Sequence, residues 1–109
     1  MLVEKGSLQY KVEEFTDEAV VKISGWVLNR KTLRAGTLNI VLTGQDKQQY
    51  IVKSERLYRP DVRDAFGKRR LAFAGFEAAF IKQNLPKQHY EVSLVLDGDA
   101  CMVGNMEVT

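Results

Sequence analysis

Apolar residues recur at every second position along almost the whole chain, and that period leaves few architectures open. Leu8, Tyr10 and Val12 alternate with polar neighbours. Val21, Ile23, Gly25 and Val27 share one face of a second strand, with Val20, Trp26 and Leu28 on the other, so this strand is apolar on both sides. Leu38, Ile40 and Leu42 make a third. Beyond the polar turn Gly44-Gln45-Asp46-Lys47-Gln48, the segment Tyr50-Ile51-Val52 returns as a hairpin partner. Ala74, Phe76, Ala78 and Phe80 alternate, as do Tyr90, Val92, Leu94 and Leu96. Asp97-Gly98-Asp99 is a tight-turn signal that leads into a last strand near 100–108.

One segment departs from this period. In Arg59-Pro60-Asp61-Val62-Arg63-Asp64-Ala65-Phe66-Gly67, the residues Val62, Ala65 and Phe66 stand at helical spacing. Proline suits a first helical position, aspartates suit the positive end, and glycine suits the residue just past the other end. A helix of one or two turns is expected over residues 60–67. About seven antiparallel strands with one short helix in a connection predict an all-β, immunoglobulin-like two-sheet sandwich, with a small barrel as the competing closure.

A chain of 109 residues fits one domain. Residues 1–109 are therefore expected to form a single β-sandwich, as a fragment of a larger protein. Apolar residues make up 45% and charged residues 28%, which excludes a disordered chain and fills one core, but leaves too little for a deep cofactor cleft. No apolar run approaches the roughly 20 residues of a membrane span, and the N-terminus lacks the apolar stretch of a signal peptide. The expected location is the cytoplasm, including a peripheral place at the inner face of a membrane. The single cysteine, Cys101, permits no internal disulfide and reads as a small core residue.

Catalytic chemistry finds little to stand on. His89 is the only histidine, so any serine or cysteine triad must use it, and a histidine-based zinc site is impossible. Asp97-Gly98-Asp99 resembles the paired acids with which many glycosyltransferases hold a metal, but no βαβ pattern supplies the nucleotide-binding layer, and a hairpin turn explains the triplet. No glycine-rich phosphate loop is present. The expectation is no enzyme, no cofactor and no metal. Gly25 and Gly75 lie inside strand patterns, each before an aromatic residue, Trp26 and Phe76, and read as positions that give that neighbour's large ring room across the core.

The candidate binding residues are aromatic and cationic. An exposed indole or phenol can stack on a sugar ring, and Trp26, Tyr50 and Tyr58 are the candidates; for Trp26 the competing reading is a core anchor. Tyr58 stands beside Arg59 and Asp61, with Arg63 close behind. Trp26, Tyr58, Arg59, Asp61 and Arg63 make up the candidate ligand site. Arg56, Arg59, Arg63, Lys68, Arg69 and Arg70 form a basic cluster within a net charge of +2. It can meet a polyanion. A nucleic-acid surface is disfavoured, because the cations are not interleaved with aromatics on one β face and Lys68-Arg69-Arg70 reads as leading straight into a core strand. The sheet edges leave dimerisation through strand pairing open.

The order Ile23-Ser24-Gly25-Trp26-Val27, then Arg59-Pro60-Asp61-Val62 with Ala65-Phe66-Gly67, then Ala74-Gly75-Phe76, resembles small β-sandwich modules attached to bacterial glycosyltransferases of cell-surface polysaccharide and teichoic acid synthesis. The resemblance spans roughly residues 20–80. It implies a non-catalytic accessory module that contacts an anionic or neutral cell-surface glycan, or the rest of a glycosyltransferase chain. A structural immunoglobulin-like spacer or protein-interaction domain is the alternative. The chain departs from the pattern at Val27-Leu28-Asn29, where such modules often have Ala and Asp, and in the basic Lys68-Arg69-Arg70, which favours an anionic polymer.

Overall fold

A computed structural model describes residues 3–5 and 7–109. Among the described residues, nine strands form two antiparallel sheets. The first sheet has the order β1(Val3–Lys5), β2(Leu8–Asp17), β3(Val20–Asn29), β7(Gly75–Ile81), β6(Glu55–Leu57), and the second has β5(Gln49–Lys53), β4(Leu38–Gly44), β8(His89–Leu96), β9(Asp99–Glu107). With β1 set aside, these are the A-B-E-D and C′-C-F-G orders of an immunoglobulin-type sandwich. The seven strands read from the period are all present; β1 and β6 are the additions.

The alternation puts one set of side chains between the sheets. Leu8, Val21, Ile23, Val27, Ile40, Leu42, Phe76, Val92, Leu94 and Leu96 are buried together there, with Cys101 and Met106. Tyr90, at the start of β8, is fully buried and its hydroxyl donates to the Pro86 carbonyl at 2.6 Å. That is the tyrosine corner of immunoglobulin-type domains, a buried phenol pinning the connection that precedes its strand. Asp97 and Gly98 both have positive φ, 50° and 86°, which makes the β8–β9 connection a two-residue turn whose twist matches the strands it joins.

The helix α1(Pro60–Phe66) forms as expected, with Pro60 in its first turn and Gly67 in the left-handed conformation (φ 63°) at its C-terminus. Lys68-Arg69-Arg70 does not run directly into a strand. A 3-10 turn, Arg69–Leu71, intervenes because Leu71 turns inward and is fully buried.

Together α1 and this turn cover the outer face of β3. Trp26, Leu28, Val62, Leu71 and Ala74 make a second, smaller core there, with Ala35 and Phe66 against it. This is why β3 is apolar on both faces: one side meets the opposite sheet, and the other lies under the helix. Trp26 meets Phe66 edge to face, with centroids 6.1 Å apart and planes at 69°.

The two strand glycines are reciprocal across β3 and β7. Gly25 pairs with Phe76 and Gly75 pairs with Trp26, so each lies opposite the other strand's ring rather than serving its own neighbour. Each is also crowded from another direction. A Cβ on Gly25 would strike the Lys11 carbonyl, and one on Gly75 would come within 2.5 Å of Arg59 Cγ. The Lys11 carbonyl is that close because β2 bulges here: Val12 opposes Gly25, Glu14 opposes Ser24, and Glu13 is the extra residue.

Candidate functional site

The connection from β6 through α1 to β7 holds most of the candidate residues, and the structure divides them into two groups. Some are consumed by the fold, and others face solvent.

Trp26 belongs to the first group. It is only 9% exposed, beneath α1, so its ring offers no face to a sugar. Arg59 and Asp61 are committed to each other. Arg59 Nε and Nη2 donate to Asp61 at 2.9 and 2.8 Å, while Nη1 and Nη2 donate to Glu13 at 2.6 and 3.1 Å. Hydrogen bonds from Arg59 hold the Asp61 carboxyl down to about 2, and those same bonds, to Asp61 first and Glu13 second, raise the Arg59 guanidinium. The bulge aims Glu13 at this arginine, and the missing side chain at Gly75 lets the arginine stem lie across β7. Arg59 and Asp61 therefore clasp α1 to the sheet.

Arg56 is also structural. Its Nη2 donates to the Val27 carbonyl at 2.9 Å and its Nε to the Phe73 carbonyl at 3.0 Å. Its Nη1 is buried without an acceptor among the described residues, and burial lowers the guanidinium to about 10.

Tyr58 and Arg63 belong to the second group. Tyr58 is 53% exposed, and Phe73 beside it is 56% exposed. The two rings stand 5.6 Å apart at 52°. Arg63 Nη1 donates to the Tyr58 hydroxyl at 2.9 Å, with the guanidinium carbon 5.7 Å from the ring centre. Phe73 was not legible as a site residue. It falls just ahead of the β7 alternation, and only the buried Leu71 fixes which way the following segment faces. Tyr50, the third aromatic candidate, is half-buried and packs edge to face on Tyr90 at 6.0 Å.

The remaining features are structural by geometry. His89 is half-buried at the start of β8, its ring between Glu107 at 3.0 Å and Asn105 at 3.1 Å. Asn105, and Glu107 first among carboxylates, favour the protonated ring, so its pKa is raised. Asp97 accepts from the Thr37 amide at 3.3 Å and Asp99 from Asn29 at 3.4 Å. Among the described residues, no group of three or more His, Cys, Asp or Glu is placed to hold a metal ion. Nor is any helix long and apolar enough to cross a membrane.

Fold and site together define an immunoglobulin-type sandwich with an exposed aromatic and cationic corner. No family model matches the chain, and neither a curated protein nor a solved structure matches it at a significant level.

Proposed function

We propose that this chain is a non-catalytic accessory module of the cell-envelope glycosyltransferase kind, and that it contacts glycan through the Tyr58–Phe73 corner. The observation that carries the reading is two neighbouring rings, each more than half exposed, one on either side of the helix connection, with an arginine hydrogen-bonded to one of them. Large aromatic surface is costly to leave in water, and folding gives no reason for it here. Rings of this kind stack on the C–H face of a sugar, while Arg63 supplies donors for its hydroxyls. The residues that resemble the glycosyltransferase modules, among them Trp26, Arg59, Pro60, Val62, Gly67 and Gly75, gather at the helix-covered face that supports this corner.

A glycan array tests the reading. Binding by the wild-type chain that is lost in Tyr58→Ala and Phe73→Ala, both of which should fold normally, supports it. An array with no hits overturns it.

A second reading, docking to a partner protein, is favoured by a different surface. Ile51 and Ile81 are 68% and 45% exposed, and with Val52, Phe80 and Leu85 they line an apolar hollow beside the free edge strand β5. Co-purification abolished by Ile51→Asp, but not by Tyr58→Ala, would favour that reading.

A further inference from the structure

The six-residue basic cluster is not uniform once folded. Arg56 is spent on two backbone carbonyls and Arg59 on two carboxylates. Arg63 is half-buried and bonded to Asp64 and to Tyr58, and Lys68, Arg69 and Arg70 follow it past the end of α1 into the 3-10 turn. Lys68, Arg69 and Arg70 are exposed, and none has a side-chain hydrogen bond or ion pair among the described residues. Three consecutive unpaired cations repel one another, which opposes folding rather than assisting it.

Their presentation is nonetheless ordered. Lys68 N donates to the Arg63 carbonyl at 3.2 Å, Leu71 N to the Lys68 carbonyl at 3.0 Å, and Ala72 N to the Arg69 carbonyl at 3.0 Å. Leu71, fully buried in the second core, anchors the turn. Arg63, Asp64, Gly67, Lys68 and Arg69 line a shallow hollow of about 420 Å³, in which Asp64 is the one carboxylate and is paired to Arg63 at 3.0 Å. Among the described residues, nothing lies within 4 Å of where a Cβ on Gly67 would stand. The hydrogen bond from Arg63 to Tyr58 joins this hollow to the ring pair.

We infer that the ring pair and the adjoining cation track form one continuous site for an anionic polysaccharide, with sugar rings on Tyr58 and Phe73 and acidic substituents along Arg63, Lys68, Arg69 and Arg70. The inference rests on the glycan-binding reading and adds the charge of the polymer. Geometry favours a saccharide over single-stranded nucleic acid. A single-strand platform alternates cations with stacking rings, whereas here Lys68, Arg69 and Arg70 follow one another and the two rings stand together at one end.

The test measures affinity of the wild-type chain for polygalacturonate and for its uncharged methyl ester, and for a phosphodiester-bearing mannan and neutral mannan, at low and moderate salt. A single-stranded oligonucleotide of matched charge is the control. The expected result is that one or both charged polymers bind at least about tenfold more tightly than their neutral partners at low salt, with the advantage shrinking as salt rises. The pair that responds distinguishes carboxylate from phosphate. The triple variant Lys68→Ser, Arg69→Ser, Arg70→Ser should lose that advantage yet keep the wild-type melting temperature, since none of the three side chains has a partner among the described residues.

Equal, salt-insensitive affinity for charged and neutral polymers would overturn the inference while leaving the glycan-binding reading intact. Absence of binding to every polymer would overturn both. Tighter binding of the oligonucleotide than of either charged polysaccharide would also overturn the inference.

Discussion

Glu13 and Arg59 stand 46 residues apart in the chain and meet at 2.6 Å. Glu13 is the extra residue of the β2 bulge, Arg59 precedes α1, and Gly75 leaves space for the arginine stem between them. The contact ties β2 to the entry of the helix that roofs the second core.

Removing Arg59 should therefore cost more than removing its partner. Arg59→Ala loses both carboxylate contacts and the packing of its stem, and should destabilise by roughly 1–2 kcal/mol. Glu13→Gln leaves Asp61 in place and should cost less than about 1 kcal/mol, the range of a partly exposed pair. Urea denaturation of the two variants checks the order.

The same cluster makes stability depend on acid. Asp61 titrates at about 2 in the folded chain against 3.8 for an unperturbed carboxyl. Its contribution is complete above the unfolded value and disappears as the pH falls through the folded one. An NMR titration should place the Asp61 carboxyl near 2 in the wild type and return it toward the ordinary range in Arg59→Gln. An unshifted Asp61 in the wild type would remove the clasp.

Trp26→Ala should destabilise by roughly 3–5 kcal/mol, since the ring fills the second core. Val62→Ala, in the same cluster, should loosen α1 while leaving the inter-sheet core intact. Chemical denaturation gives the first figure, and hydrogen exchange of the α1 amides reads the second. A Trp26→Ala cost below about 1 kcal/mol would place the ring outside the core.

His89 carries the opposite pH sign. Its pKa is raised above 6.5 by Asn105 and then Glu107, with Glu91 adding a smaller pull. Its contribution is fully present below 6.5 and is lost as the pH rises through the folded value. Imidazole proton shifts should titrate above 6.5 in the wild type and lower in Asn105→Ala and in Glu107→Gln.

Much of the sandwich was legible because period two is a direct record of which side faces the core. Val21, Ile23 and Val27 on one side of β3, with Trp26 and Leu28 on the other, already indicated a strand covered on both faces, and Pro60 and Gly67 marked the ends of α1. The short strand β6 was hidden because Glu55-Arg56-Leu57 carries no alternation; its place comes from pairing with Glu77, Phe76 and Gly75. The site was half legible. Of the candidate residues, Tyr58 and Arg63 are the two that the structure brings together at an exposed corner. Trp26, Arg59 and Asp61 look like binding residues in sequence, because an aromatic, a cation and a carboxylate serve a clasp as well as they serve a ligand. Only the bulge at Glu13, a long-range feature of strand register, shows which use the fold makes of Arg59.

The most direct test of the central claim is a ¹H–¹⁵N NMR titration of the whole chain with polygalacturonate oligomers and with oligomers of the phosphodiester-bearing mannan. Binding through the aromatic corner predicts amide shifts concentrated at Tyr58, Arg63, Lys68–Arg70 and Phe73, diminishing as salt is added. Shifts centred instead on Ile51, Ile81 and Leu85, or an unchanged spectrum with both ligands, would contradict it.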